Sequence, residues 1–169
     1  MALALSGSPT TAAAAGARAA GARHSQLVRV YFEDTDAGGI VYHASWLRFF
    51  ERCRTDWLRS LGVSQAELAR TQGLGFVVRD LRIEYLRPAR LDDLLRIELD
   101  LCELRRASLT LSQRACLADA DAGPILVSAQ VRIAAIEQQS GRAVGLPADL
   151  IARIGPPSGH TEEFRVHAN

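Results

Sequence analysis

The chain has no Cys-x-x-Cys pair, no surplus of one charge and no long apolar run. Each absence removes a class of function. Three cysteines in 169 residues, Cys53, Cys102 and Cys116, lie far apart, so neither a disulfide framework nor a zinc knuckle is expected. An odd, scattered set fits a reducing compartment, here the cytoplasm, with each thiol acting as a small buried hydrophobe. The formal net charge is only +1, which argues against a dedicated nucleic-acid binder. No stretch reaches the roughly 20 apolar residues of a membrane span. No Gly-x-Ser-x-Gly elbow occurs, and the Gly-Leu-Gly at 73–75 is too short for a nucleotide fingerprint. Only one histidine stands near the aspartates of the 34–43 segment, so no metal site is expected.

What remains is the composition of one ordinary globular domain, with 48% hydrophobic and 23% charged residues. Residues 1–25 are rich in Ala and Gly and contain no acid. They lack the positive start and unbroken apolar centre of a secretory signal. They read as a disordered low-complexity tail, although an Arg-containing, acid-poor stretch also fits a transit peptide. The domain is expected over 26–154, with a flexible tail over 155–169.

Within it, QLVRVYFE (26–33) alternates Val28, Val30 and Phe32 with polar residues, as a half-buried strand does. DTDAGGIVYH (34–43) is a turn. The following helix, with Ser45 as N-cap and Gly62 beyond its end, carries Trp46, Leu47, Phe49, Phe50, Cys53, Trp57, Leu58 and Leu61 on half its circumference. So wide an apolar face needs to be wrapped by a curved sheet. Arg54 falls inside that face and is expected to be paired or to snorkel. A short helix over 64–73, capped by Ser64 with Glu67 completing a capping box, is followed by four period-two segments, with Leu81, Ile83 and Tyr85 on one face of the first. Short connections predict an antiparallel meander, and LPADLIARI a closing helix. The fold class is α+β, an antiparallel curved sheet wrapped around one long central helix.

DTDAGGIVYHAS brings carboxylates Asp34 and Asp36, flexible glycines, and the start of a helix into one place. Backbone N–H groups at a helix start favour developing negative charge. A carboxylate beside them suits acyl transfer. Asp-x-Asp pairs also occur in ordinary turns, capping nearby amides.

The stretch VRVYFEDTDAGGIVYHASWLRFFERCRTDWL resembles the 4-hydroxybenzoyl-CoA thioesterase-like branch of the hotdog superfamily. Within it, the resemblance is strongest to the acyl-CoA thioesterases associated with the Tol–Pal cell-envelope system. FVVRDLRIEYLRPARLDDLLRI and SLTLSQRA extend it over about residues 27–150. The resemblance implies a hotdog fold and hydrolysis of acyl-CoA thioesters without a cofactor. It implies Asp36 as nucleophile or base, and the His43 backbone N–H as the group polarising the carbonyl, with the His43 side chain also implicated. Gly38 and Gly39 would admit the ligand close to the backbone. Relatives often carry two tyrosines before the acidic motif, whereas this chain has Tyr31 followed by Phe32. Tyr31 is thus a candidate substrate contact, and a second phenol is missing.

Asp34 reads as a turn or supporting residue and Glu51 as one half of a helix ion pair. Arg87, Arg90, Arg105 and Arg106 sit at strand ends, where they are either solvated or meet the phosphates of coenzyme A. The rival functions are a hotdog dehydratase and a non-catalytic partner of acyl carrier protein or of an envelope assembly. A homodimer or homotetramer is expected from the resemblance. Chain-length preference is not legible.

Overall fold

The computed structural model describes residues 23–119 and 123–157. Most of the two expected tails, 1–22 and 158–169, lies outside the described residues. β1 (His24–Arg29) opens two residues before the expected start of the domain. It ends before Phe32 because the Asp34 carboxylate turns back to accept the Tyr31 N–H at 3.0 Å. That contact folds Phe32–Asp34 into a 3-10 turn. Val28 and Val30 are buried as expected, but Phe32 is thrown to the surface, 83% exposed.

α1 (Ser45–Ser60) is the central helix. Ser45 is its first residue, not its cap. It is buried, and its Oγ accepts from Arg48 Nη2 at 3.0 Å. The far end closes as read from the sequence. Gly62 takes φ +73°, its N–H reaches Arg59 O, and the Val63 N–H reaches Leu58 O. This is a Schellman closure, with Leu58 and Val63 both in the core. Trp46, Phe49, Phe50, Cys53, Trp57 and Leu58 are buried, while Leu47 stays 38% exposed. α2 (Gln65–Gln72) is capped by Ser64, whose Oγ accepts from the Glu67 N–H; the Glu67 carboxylate goes to Arg70.

The sheet comprises β1, β2 (Leu74–Tyr85), β3 (Leu94–Arg105), β4 (Ser108–Leu117) and β5 (Ile125–Glu137), in the order β1-β3-β4-β5-β2, with every pair antiparallel. Only β3–β4–β5 form the expected meander. β2 joins the far side of β5 instead of β3, because α1 carries the chain from the β1 edge to the opposite edge before β2 begins. α3 (Ala148–Ile154) closes the chain with Leu150 and Ile154 in the core. Among the described residues no helix is long and apolar enough to cross a membrane.

Helix and sheet are tied at their centre by polar groups. Arg54, 8% exposed, donates to Gln113 Oε1 on β4 at 2.7 Å, and Gln113 Nε2 donates to Phe50 O at 3.0 Å. Arg54 also pairs with Glu51. The expected pairing of Arg54 and the ion-pair reading of Glu51 are both met in this network. Burial pushes all three thiols up, that of Cys53 to about 12, so these cysteines are packing groups.

Candidate active site

The 34–43 segment is a small hairpin that feeds straight into α1. Thr35 and Val41 form an isolated antiparallel bridge, flanked by Tyr42 N–H to Asp34 O at 2.8 Å and Asp36 N–H to Ile40 O at 3.0 Å. Gly39 closes the tip at φ +71°, where an L side chain is strained, and its N–H reaches Asp36 O. Asp34 is buried beneath the hairpin, accepting from Tyr31 N and lying 3.4 Å from Arg48 Nη2. It therefore supports the turn, in accordance with its sequence reading.

Asp36 is at the surface of the hairpin. Its Oδ1 accepts the Gly38 N–H at 2.8 Å, while Oδ2 has no protein partner among the described residues. One oxygen is anchored and the other is available. A Cβ at position 38 would stand 3.0 Å from Asp36 Oδ1. Gly38→Ala should therefore push the carboxylate by a few tenths of an ångström at little cost in stability. With Asp36 as a candidate reacting carboxylate, the expected result is a roughly tenfold fall in kcat with a nearly unchanged melting temperature, because a misplaced reacting group costs rate steeply. Steady-state kinetics beside a thermal melt checks this.

His43 lies in the turn that follows Val41, the last bridged residue of the hairpin. No hydrogen bond joins the His43 and Asp36 side chains among the described residues. The His43 ring instead packs on Tyr42, with centroids 4.3 Å apart, and meets Tyr85 edge-on at 6.5 Å. Neither the His43 nor the Ala44 N–H has a protein acceptor among the described residues. These two donors precede α1, whose dipole adds to their pull on negative charge. The carboxylate and these donors thus lie on one short segment, the hairpin and the turn that leads into α1.

Ala89 O accepts the Val41 N–H at 2.8 Å, which brings the 86–93 loop, with Arg87 and Arg90, against the hairpin. Both arginines are exposed. Arg87 Nη1 touches Ile125 O at 3.3 Å, and the Arg90 N–H donates to Asp93 Oδ2. Arg105 and Arg106 are not brought here. They lie at the β3–β4 turn, about 35 Å along β3 from the loop that holds Arg87. The Tyr31 ring is 63% exposed on the rim. Tyr85 was read only as a sheet residue; its link to His43 spans 42 positions and has no local sequence signal.

A family model described as the thioesterase superfamily matches residues 38–122. The acyl-CoA thioesterase YbgC of Haemophilus influenzae is 42% identical over 125 residues, 74% of this chain and 89% of the relative. The chain belongs to the thioesterase superfamily. Among solved thioesterases, a probable thioesterase from Bartonella henselae superposes with a TM-score of 0.68 at 39% identity, over 73% of this chain and 98% of that one. A Thermus thermophilus thioesterase complexed with coenzyme A and zinc gives 0.67 at 26% identity, over 80% and 93%. The hotdog architecture of these thioesterases is that of the sheet and central helix described above. Among the described residues no group of His, Cys, Asp or Glu is placed to hold a metal ion.

Proposed function

We propose that this thioesterase hydrolyses acyl-CoA to free acid and coenzyme A, with Asp36 as the reacting carboxylate. The supporting observation is the Asp36 carboxylate, anchored through one oxygen and open at the other, on a hairpin that runs directly into unsatisfied helix-start N–H groups. The thioester carbonyl would accept from the His43 N–H, which stabilises the oxyanion as it forms. The open Asp36 oxygen then either attacks the carbonyl carbon or takes the proton from an attacking water. Thiolate leaves readily, so a strong general acid is unnecessary. Arg87 and Arg90 stand on the loop against the hairpin and are the candidates for the coenzyme A phosphates. Tyr31, Gly38 and Gly39 line the approach. A dehydratase is disfavoured, because the acid sits on the turn before the helix. The test is release of free coenzyme A thiol from a panel of short, long and aromatic acyl-CoAs. Inactivity across the whole panel would leave a non-catalytic partner of acyl carrier protein as the better reading.

The working unit is a homodimer or homotetramer joined through β2. Phe76, Val78, Leu81, Ile83 and Tyr85 pair with core residues of β5 and so face the helix side. Yet Val78, Leu81 and Tyr85 remain 51%, 39% and 47% exposed. An apolar face on an edge strand with unpaired backbone groups asks for a second copy. Light scattering should give two or four times the chain mass. Val78→Arg with Leu81→Arg should reduce it to one; a monomeric wild type would defeat the proposal. Cytoplasmic location, supported by three free thiols, and service to the Tol–Pal system belong to the same reading.

A further inference from the structure

Tyr85 is the last residue of β2, on the edge strand opposite β1, and it reaches across to the entry of α1. Its phenol Oη donates to the His43 carbonyl at 3.1 Å, and the two rings meet edge-on with an interplanar angle of 87°. The helix does not use that carbonyl. Its natural partner four residues on, the Leu47 N–H, goes instead to Ala44 O at 3.2 Å. Among the described residues Tyr85 is therefore the protein donor to the His43 carbonyl.

We infer that Tyr85 is a positioning residue for the reaction, holding the His43–Ala44 peptide so that the Ala44 N–H points, beside the His43 N–H, at the thioester oxygen. This rests on the hydrolase reading above. The physical link is the peptide plane. The His43 C=O and the Ala44 N–H belong to one rigid unit, so fixing the oxygen fixes the direction of the N–H. A donor on the carbonyl also polarises the amide, which strengthens that N–H toward a developing oxyanion. Apart from Tyr85, this turn is held by Tyr42 N–H to Asp34 O, Ser45 N–H to Tyr42 O and Leu47 N–H to Ala44 O, which engage the peptides on either side of the His43–Ala44 peptide but not that peptide itself. Burial pushes the Tyr85 phenol up, so it remains a protonated donor across the working range.

The test compares wild type, Tyr85→Phe and Tyr85→Leu in kcat, KM, melting temperature and the 15N–1H resonance of the Ala44 amide. Loss of one hydrogen bond that matters in the transition state should lower kcat in Tyr85→Phe roughly tenfold, with KM and the melting temperature close to wild type. The Ala44 resonance should shift. Tyr85→Leu should lose at least as much. Wild-type kcat in a folded Tyr85→Phe overturns the inference; if Tyr85→Leu alone is impaired, the ring packs and the hydroxyl does not act. An Ala44 resonance that stays in place also overturns it. A wild type inactive on every acyl-CoA sinks the hydrolase reading, and the amide resonance then decides by itself whether Tyr85 holds the peptide.

Discussion

Asp36→Asn should lower kcat by roughly a thousandfold on every acyl-CoA that the wild type accepts, with the fold intact. The substitution keeps the size of the side chain, and an amide oxygen still accepts the Gly38 N–H that Asp36 Oδ1 accepts at 2.8 Å. What is lost is the charge on the second oxygen, the one with no protein partner. An amide neither attacks a thioester nor takes a proton from water. Because the side chain is exposed and its anchor survives, the melting temperature should move by a degree or two at most. Loss of activity without loss of stability is the signature of a reacting group. An unimpaired, folded Asp36→Asn enzyme would remove Asp36 from the chemistry. His43→Ala should cost much less, since its backbone N–H is kept.

Gln113→Leu should destabilise the protein by about 3 kcal/mol, lowering its melting temperature by roughly 10 °C. Gln113 is 1% exposed and serves two partners, accepting from Arg54 and donating to Phe50 O. Leucine fills the space but leaves a buried guanidinium with one fewer acceptor and removes the side-chain donor that the Phe50 carbonyl has beside its helical one. The double variant Gln113→Leu with Arg54→Met should recover much of the loss, because removing both members of a buried polar pair costs far less than removing one. A melt series of the two single variants and the double one measures this coupling. Additive losses would show that the pair is not a unit. Activity should follow stability here, since Arg54 is about three helical turns along the chain from His43.

Local patterns alone determined a good deal of this protein. The half-apolar circumference of 45–61 dictated a wrapped helix. Gly62 dictated how that helix ends, and the period-two segments dictated an antiparallel sheet. The Asp36–Gly38–Gly39 turn leading into a helix start was also legible, since a carboxylate, two glycines and a run of free amides lie within ten residues. Family resemblance, not spacing, assigned Asp36 over Asp34. Burial in the fold shows what separates the two: Asp34 is spent on Tyr31 and Arg48, whereas Asp36 keeps an oxygen open.

Strand order, the exposure of β2 and the Tyr85–His43 contact were decided only by the tertiary structure. Strand periodicity tells which side chains share a face; it does not tell which strand lies alongside, because backbone hydrogen bonds carry no residue identity. The passage of α1 across the sheet sends β2 to the far edge and leaves its apolar face open. Phe32 was misplaced for a related reason. Its alternation with Val28 and Val30 is real, but one carboxylate three residues from the Tyr31 N–H offered the backbone a turn in place of a ladder. Tyr85 meets His43 because both edges of the sheet converge at the start of α1, and that convergence exists only once the chain has closed around its helix.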